Sequence, residues 1–371
     1  MNFEEHAAKP LLAAGGIAVP PSRVVTGPDE AAAAASAIGP CVVKAQVPTG
    51  KRGKAGGIQL AASADEARAH AEAILRLEIS GFAVDTLLVE GQVPIARELY
   101  AAVLNDPVTC GPVVLFSPLG GMDVEEAAEQ DPDAMRRLPV DIRHGLDVVQ
   151  AATLLDGLDL PPGVAEVLVK LYDVYRANDA ELLEINPLVV TSGGEVVALD
   201  CKFTLCDSAI PRQGEIAPNG TPDKLTDLEA EAAAAGLKYI ELGGSVGVLA
   251  NGAGLTMTTM DAITHYGGAP SNFLEIGGEA YTKAETALTI LLKNPNIKSL
   301  LVNFCGAFAR TDVMAGGVVE AWKRLAPDIP VFFTIHGTGE DEAVALVKQE
   351  LGIEPFDLMD DAVRAAVEAS K

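Results

Sequence analysis

The chain has 371 residues, of which 49% are hydrophobic and 21% charged, so two or three domains with sizeable cores are expected. Its formal net charge of −25 argues against nucleic acid and anionic membrane surfaces as partners, because both repel an acidic protein. No apolar run approaches the ~20 residues of a membrane span, and the acidic beginning is unlike a signal peptide. Five scattered cysteines, an odd number, favour a reducing compartment. We therefore expect a cytoplasmic protein.

In chain order, the first informative stretch is a glycine-rich loop, residues 48–57, between two predicted strands. Lys44 lies on the strand before it, and Lys51, Arg52 and Lys54 add three more positive charges. Glycines let successive backbone amides turn towards phosphate oxygens. The pattern is neither a Walker A loop nor a dinucleotide fingerprint. A solvated basic hairpin is the alternative, but in so acidic a chain we favour a loop that covers phosphates.

Two carboxylates bracket the next short connection between strands. Glu90 ends one predicted strand and Glu98 lies early in the following one. In a nucleotide site they would accept hydrogen bonds from ribose hydroxyls or from the amine of a base. The alternative is a pair of exposed acids at strand ends.

Residues 181–202 predict a β-hairpin, because two apolar, β-branched runs flank the turn Thr-Ser-Gly-Gly-Glu. Antiparallel pairing would bring Asn186 and Asp200 to the same end of the two strands, beside Glu184 and Lys202. Amide and carboxylate oxygens are hard ligands that suit a Mg2+ ion holding nucleotide phosphates. The alternative is that Asn-Pro merely ends a strand.

Residues 206–230 are rich in proline, glycine and polar residues, which is typical of a linker. A helix leaves this linker, and after residue 235 strands alternate with helices. This pattern predicts an open, doubly wound parallel sheet with ligands at the carboxyl ends of its strands. The predicted strands are Val246–Ala250, Asn272–Ile276, Ser299–Phe304, Val331–Ile335 and Phe356–Met359.

Three glycine-rich loops follow strands of this predicted sheet, at residues 251–254, 277–279 and 306–310. Each precedes a helix, so backbone amides and the positive helix ends would face one edge and could hold an anion or a partner's helix end. The five histidines show no pairing with a nucleophile or with metal-ligand spacing. The chain is thus expected to bind nucleotide and metal without supplying a covalent catalyst.

These motifs resemble, over nearly the full length, the beta subunit of succinate–CoA ligase and its relative malate–CoA ligase. The matching stretches are residues 52–57, 183–189, 198–200, 251–255, 272–274, 277–278 and 301–303. The resemblance implies an α/β fold in which an ATP-grasp domain, residues 1–235 with mixed sheets and helices, precedes a flavodoxin-like CoA-ligase domain, residues 236–371. It also implies ATP as substrate, Mg2+ as cofactor and a separate alpha subunit, in an αβ or α2β2 assembly.

The resemblance assigns roles to particular residues. The implied nucleotide-binding residues are Lys44, Lys51, Arg52, Gly53, Glu90, the backbone at Val93, and Glu98. Asn186 and Asp200 would hold Mg2+, and Glu184 would act as the catalytic carboxylate that steadies a phosphohistidine. That histidine and the CoA site would belong to the alpha subunit. The implied residues for the carboxylic acid substrate are Asn251, Ala307, Phe308 and Ala309.

The sequence departs from the family pattern at three places. Residues 48–51 read Pro-Thr-Gly-Lys where His-Ala-Gly-Gly is usual, and residues 306–309 read Gly-Ala-Phe-Ala where Gly-Gly-Ile-Val is usual. Residues 334–339 read Thr-Ile-His-Gly-Thr-Gly in place of Arg-Leu-x-Gly-Thr-Asn. A bulky Phe308 and lost polar groups reshape the acid pocket, so a related short carboxylate such as malate is expected beside succinate as the acid. Pro20 lies where ATP-preferring members of the family often have proline, which favours ATP over GTP. A non-catalytic, ATP-binding regulatory paralogue is the alternative.

Overall fold

The computed structural model describes residues 1–50, 52–121, 134–222, 224–277 and 283–371. The chain divides into two compact units, Met1–Asp223 and Lys224–Lys371. All five cysteines are free thiols. Across the described ranges, no helix combines the length and apolar character that crossing a membrane would require.

The first unit contains thirteen strands among its described residues. They are β1 (Asn2–Phe3), β2 (Ser22–Val25), β3 (Cys41–Gln46), β4 (Ile58–Ala61), β5 (Glu78–Ile79), β6 (Phe82–Ala83), β7 (Thr86–Gly91), β8 (Ile95–Asp106), β9 (Gly111–Ser117), β10 (Arg136–Pro139), β11 (Ala180–Thr191), β12 (Val196–Ala198) and β13 (Lys202–Leu205). The α-helices are α1 (Glu5–Ala14), α2 (Pro28–Ile38), α3 (Ala64–Ile74), α4 (Val148–Leu154) and α5 (Gly163–Ala177).

Two antiparallel sheets organise this unit. A seven-stranded sheet has the order β1-β13-β11-β8-β9-β10, with β12 also paired to β11. A smaller sheet has the order β2-β7-β3-β4. In the larger sheet the long strands β8 and β11 are the central pair, and α5 packs its buried Leu168, Leu171 and Tyr172 into the same core as Phe116 and Phe203. Helices α2 and α3 contribute small buried alanines to the core under the smaller sheet, which lets them lie close to its strands.

The second unit is a five-stranded sheet with helices. Its strands are β14 (Lys238–Glu241), β15 (Val246–Ala250), β16 (Asn272–Glu275), β17 (Ser299–Gly306) and β18 (Val331–Gly337). Its helices are α6 (Asp227–Ala234), α7 (Ala253–His265), α8 (Ala284–Leu291), α9 (Thr311–Leu325), α10 (Glu340–Leu351) and α11 (Met359–Ala369). Two separate groups of buried apolar residues fill the space on its sheet, as expected for a sheet covered by helices on both faces.

The order of this sheet is β14-β16-β15-β17-β18. Strands β15 to β18 are mutually parallel, and the chain reverses direction across the sheet between β15 and β17. This is the doubly wound arrangement that the sequence predicted, and its switch point lies at the carboxyl ends of those two strands.

One predicted strand is wrong. Residues 356–359 form only a single bridge, between Phe356 and Thr334, and Met359 already begins α11. The fifth strand is instead β14, which pairs antiparallel with β16 at the edge of the sheet. Helix α6 packs against β14 and α8 and therefore belongs to the second unit. The division between the units lies in the proline-rich segment before α6.

Candidate functional site

A cavity of about 980 Å3 opens in the first unit. It is lined by residues of both sheets, including Lys44 on β3, Glu90 on β7, Glu98 on β8 and Asn186 on β11. Most of the residues that the sequence assigned to nucleotide and metal therefore meet in one place. Lys51 lies outside the described residues, and Gly53 and Val93 line the cavity.

Lys44 is the central cation of this cavity. Antiparallel pairing of β3 with β7 places Val42 opposite Glu90, two residues from Lys44 along the strand. The Lys44 ammonium donates to Glu90 Oε1 at 2.7 Å and to Glu5 Oε1 at 2.9 Å. Burial lowers the pKa of Lys44, but these carboxylates more than offset it, so the pKa lies above its ordinary value. Lys44 therefore stays charged although it is buried.

Arg52 lies in the glycine-rich loop and is buried as well. Its guanidinium donates to the Ala45 carbonyl at 2.9 Å and to Asp200 Oδ1 at 2.9 Å. The loop can fold so tightly on β3 because residue 57 is glycine: a Cβ there would lie 3.1 Å from the Ala45 side chain and 3.2 Å from the Arg52 carbonyl oxygen. The loop thus fixes the Arg52 guanidinium beside the hairpin.

Gly121 lies close to both Glu98 and Asn186. Its amide donates to Asn186 Oδ1 at 2.8 Å, and a Cβ on it would lie 2.0 Å from Glu98 Oε2. With φ at +72°, this position requires glycine. The Glu98 side chain is exposed and borders the cavity, where it is free to meet a ligand from solvent.

The predicted hairpin is present, and its second strand is divided into β12 and β13. Leu188 pairs with Ala198 and Glu184 pairs with Lys202, a common register that sets Asp200 opposite Asn186. No group of three or more His, Cys, Asp or Glu residues within the described ranges could hold a metal by itself. Mg2+ commonly takes one or two protein oxygens together with substrate phosphates. The amide and carboxylate oxygens here fit that mode.

Glu184 lies on the same hairpin, half-buried, and accepts a hydrogen bond from the Tyr100 hydroxyl at 3.1 Å. Burial raises the pKa of Glu184, while Lys202 and the Tyr100 hydrogen bond partly counteract this. Burial and the neighbouring Glu184 raise the pKa of Tyr100, so its hydroxyl remains a donor at neutral pH. The sequence did not single out Tyr100, since a tyrosine in an apolar strand carries no special pattern.

Two further residues of the cavity region escaped sequence reasoning. Glu5 and Lys9 lie one turn apart on α1, and both are buried. Glu5 contacts Lys44, Lys9 and Arg52, and Lys9 contacts Glu90. An acid and a base four residues apart were the available signal, but such pairs on a helix are usually exposed.

The residues assigned to the carboxylic acid lie in the second unit, at the switch point of its sheet. The Asn251 amide follows β15 and exchanges two hydrogen bonds of 2.8 Å with the backbone of Cys305 on β17. It thereby ties together the two strand ends from which the loops diverge. Gly278 and Glu279 of the predicted middle loop lie outside the described residues.

The loop after β17 is held by the loop after β18. Thr338 donates its hydroxyl to the Ala307 carbonyl at 3.0 Å and its amide to Gly306 at 2.9 Å. A Cβ on Gly306 would lie 2.1 Å from the Ala309 carbonyl oxygen, so this turn requires glycine. Phe308 projects from the loop and is fully exposed. A fixed loop that presents a large apolar side chain to solvent is suited to contact a ligand or a partner.

Comparison with protein families agrees with this division. Residues 2–190 match the model of the ATP-grasp domain, and residues 249–367 match the CoA-ligase model. The fold is also that of the ATP citrate lyase from Methanothrix soehngenii, solved with citrate and coenzyme A. That structure has a TM-score of 0.70 and 23% identity, and the match covers 99% of each chain.

Individual relatives are similar over almost their whole length. The beta subunit of the ADP-forming succinate–CoA ligase from Halorubrum lacusprofundi is 40% identical over 99% of this chain and 98% of its own. The beta subunit of the GDP-forming enzyme from Thermus thermophilus is 40% identical over 94% of this chain and 93% of its own. At this identity and coverage, the chain belongs to the family of succinate–CoA ligase beta subunits.

Proposed function

We propose that this chain is the nucleotide-binding beta subunit of an ADP-forming carboxylate–CoA ligase. The γ-phosphoryl group of ATP passes to a histidine of a partner alpha subunit and ADP leaves. The phosphoryl group then passes to the carboxylate substrate, and the CoA thiol displaces phosphate to give the acyl-CoA. The free cysteines suit a reducing cytoplasm, where we place the reaction.

Lys44 and Arg52 are the phosphate-binding cations of this proposal. Both are buried at the cavity, and both are held by carboxylates and backbone carbonyls rather than by solvent. Fixed charges in a water-poor site stabilise the transferring phosphoryl group without reorganisation during the reaction. Glu90, the backbone at Val93, and Glu98 would contact the ribose or base.

Asn186 and Asp200 would hold a Mg2+ ion together with the phosphates. The ion, when bound, would neutralise phosphate charge and help to align the leaving ADP oxygen. Asp200 also accepts from Arg52, which keeps its carboxylate turned towards the phosphate-binding cations.

Glu184 would receive the partner's histidine. A carboxylate that accepts an imidazole N–H fixes the tautomer and orientation of the ring and stabilises positive charge on it. The Tyr100 hydroxyl donates to one oxygen of Glu184, and the other oxygen would accept from the partner's ring.

The carboxylic acid is proposed to bind at the loops of the second unit, near Asn251 and Ala307–Ala309. Phe308 is larger than the isoleucine that the family pattern has there and is fully exposed. We propose succinate or a related short carboxylate such as malate as the acid. Because a similar protein is named for GDP formation, the nucleotide preference is part of the test.

The observation that carries the proposal is the meeting of Lys44, Arg52, Glu90, Asn186 and Asp200 around one cavity. The experiment is labelling of the complex with the alpha subunit by [γ-32P]ATP or [γ-32P]GTP and Mg2+. We expect acid-labile label on the alpha subunit, more from ATP, and loss of label in Asp200→Ala. Label on this chain, or none on either chain, would contradict the proposal.

A further inference from the structure

The first helix, α1, carries two charged residues of the nucleotide cavity region that have no role in the mechanism above. Glu5 and Lys9 are only 3% and 4% exposed. They are one turn apart, and Lys9 donates to Glu5 Oε1 at 2.7 Å. Charged residues are almost never buried to this degree unless they are paired.

Glu5 is the shared counter-ion of the proposed phosphate-binding cations. Its Oε1 lies 2.9 Å from the Lys44 ammonium, and its Oε2 lies 2.8 Å from an Arg52 guanidinium nitrogen. Without a carboxylate between them, these two buried cations would repel each other. Glu5 therefore pairs with both cations at once.

Lys9 makes the corresponding contacts to the other wall of the cavity region. Its ammonium contacts Glu90 Oε2 and donates to the Leu199 carbonyl at 2.9 Å. Lys44 donates to the same carbonyl at 2.7 Å. Leu199 directly precedes Asp200, so α1 is linked to β3, to β7 and to the proposed metal-binding segment of the hairpin.

The network is charge-balanced. Three carboxylates, Glu5, Glu90 and Asp200, face three cations, Lys9, Lys44 and Arg52. Burying charges is expensive, and apolar residues of similar volume often serve stability equally well. What such a network does supply is a fixed geometry, which removes the cost of ordering long side chains when a ligand binds.

We propose that Glu5 and Lys9 are positioning residues of the nucleotide site: Glu5 orients Lys44 and Arg52 for the phosphates, and Lys9 orients Glu90 and the Leu199 segment. This inference rests on the proposed function, because it assigns the task of binding phosphate to Lys44 and Arg52. It adds an element, α1, that contributes to the site without touching the nucleotide.

The test compares MgATP with adenosine, which has no phosphates. Binding of each to the full chain is measured for wild type, Glu5→Gln, Glu5→Asp and Lys44→Met, with Glu66→Gln on α3 as the control outside the cavity. We expect Glu5→Gln to weaken MgATP binding about tenfold, equivalent to 1.4 kcal/mol, with adenosine binding unchanged. Glu5→Asp should recover part of the loss.

If only the charge of Glu5 matters, and not the position that it gives the cations, Glu5→Gln should have the opposite effect on MgATP binding. The site of Glu5→Gln is more positive, and a role limited to charge would make MgATP bind more tightly. Tighter binding of MgATP, equal weakening of MgATP and adenosine, or no change would each overturn the positioning role. Should Glu5→Gln not fold, Glu5→Asp, which keeps the charge but shortens the side chain, is measured in the same way: weaker MgATP binding with unchanged adenosine binding is expected, and unchanged MgATP binding would overturn the positioning role.

Lys44→Met separates this inference from the proposed function. If wild type does not bind MgATP, or if Lys44→Met binds it as wild type does, then the proposed nucleotide site is wrong. If Lys44→Met weakens MgATP binding and Glu5→Gln does not, the nucleotide site stands and only the role of α1 is rejected.

Discussion

The surroundings of Glu184 shift its pKa in opposite directions. Its carboxylate is half-buried, which raises its pKa, while Lys202 and the Tyr100 hydroxyl favour its ionised form. If Glu184 must be ionised to receive the partner's imidazole, the balance between these influences determines the acidic limit of activity.

Tyr100→Phe tests this balance with little change of volume. Loss of the hydrogen bond raises the pKa of Glu184 further, so Glu184 loses its charge at a higher pH. A hydrogen bond to a charged group contributes about 1.5 kcal/mol, and so the acidic limb of the pH profile for labelling of the alpha subunit should move up by about one pH unit.

Tyr175→Phe is the matched control, because its hydroxyl bonds to Asn105 rather than to Glu184. The profile of this variant should coincide with that of wild type. An unchanged profile in Tyr100→Phe would show that the Tyr100 hydroxyl does not influence the ionisation of Glu184.

At the scale of elements, the β11–β13 hairpin explains why Asn186 and Asp200 can act together. The same register holds on both sides of the interruption, at Leu188–Ala198 and at Glu184–Lys202. The interruption frees residues 199–201 from regular pairing, and the Leu199 carbonyl there accepts hydrogen bonds from Lys9 and Lys44.

We expect Asn186→Ala and Asp200→Ala to reduce ATP affinity about tenfold or more in the presence of Mg2+. In EDTA, wild type and both variants should bind ATP with similar, weak affinity. Calorimetric titration at several Mg2+ concentrations measures this difference. Equal affinities of wild type and variants at saturating Mg2+ would remove the metal role from the hairpin.

Helix α1 should also influence stability at acidic pH. Burial raises the pKa of Glu5, but Lys44, Lys9 and Arg52 lower it more, so its pKa in the folded chain is below its ordinary value. Its contribution to stability is therefore present above the pKa of the unfolded chain, about 4.3, and is lost as the pH falls towards the lower, folded value.

Glu5→Gln should consequently lower the free energy of unfolding by about 3 kcal/mol at pH 7, since it leaves buried cations without a partner. The difference in the free energy of unfolding between this variant and wild type should become smaller as the pH falls below about 4. Urea unfolding at pH 7, 5 and 3.5 measures it. A difference that does not change with pH would mean that the Glu5 charge is not the stabilising feature.

Local patterns predicted the hairpin and the parallel strands well, because alternating and β-branched runs are properties of neighbouring residues. Such patterns could not predict the network of charged residues around α1. Glu5 meets Lys44 across 39 residues of sequence and Lys9 meets Glu90 across 81, and no spacing rule links them. Strand β14 was missed because it has only two apolar residues between charged ends, whereas the mainly apolar residues 356–359 indicated a strand that does not form.

The proposed nucleotide site and the proposed acid site lie in different units of the chain. The proposed phosphate and metal residues all belong to Met1–Asp223, while Asn251 and Phe308 belong to Lys224–Lys371. Substitutions in the second unit should therefore affect acid preference without altering the nucleotide cavity.

Phe308→Ile tests this separation. Phe308 is fully exposed, so its replacement should cost little stability. A difference of one methylene-sized group in a substrate contact corresponds to about tenfold or more in relative kcat/KM. We expect a change of this size between succinate and other acids, with ATP affinity within about twofold of wild type. Equal losses for acid and ATP would contradict the assignment of this loop.

ADP release by this chain, purified with its alpha partner, tests the proposed ligase activity. The assay contains ATP, Mg2+ and CoA with a panel of mono- and dicarboxylic acids. We predict sustained ADP release only when CoA and a short carboxylate are both present, led by succinate or malate, and its loss in Asp200→Ala. No turnover with any acid would contradict the proposal and favour a regulatory, non-catalytic subunit.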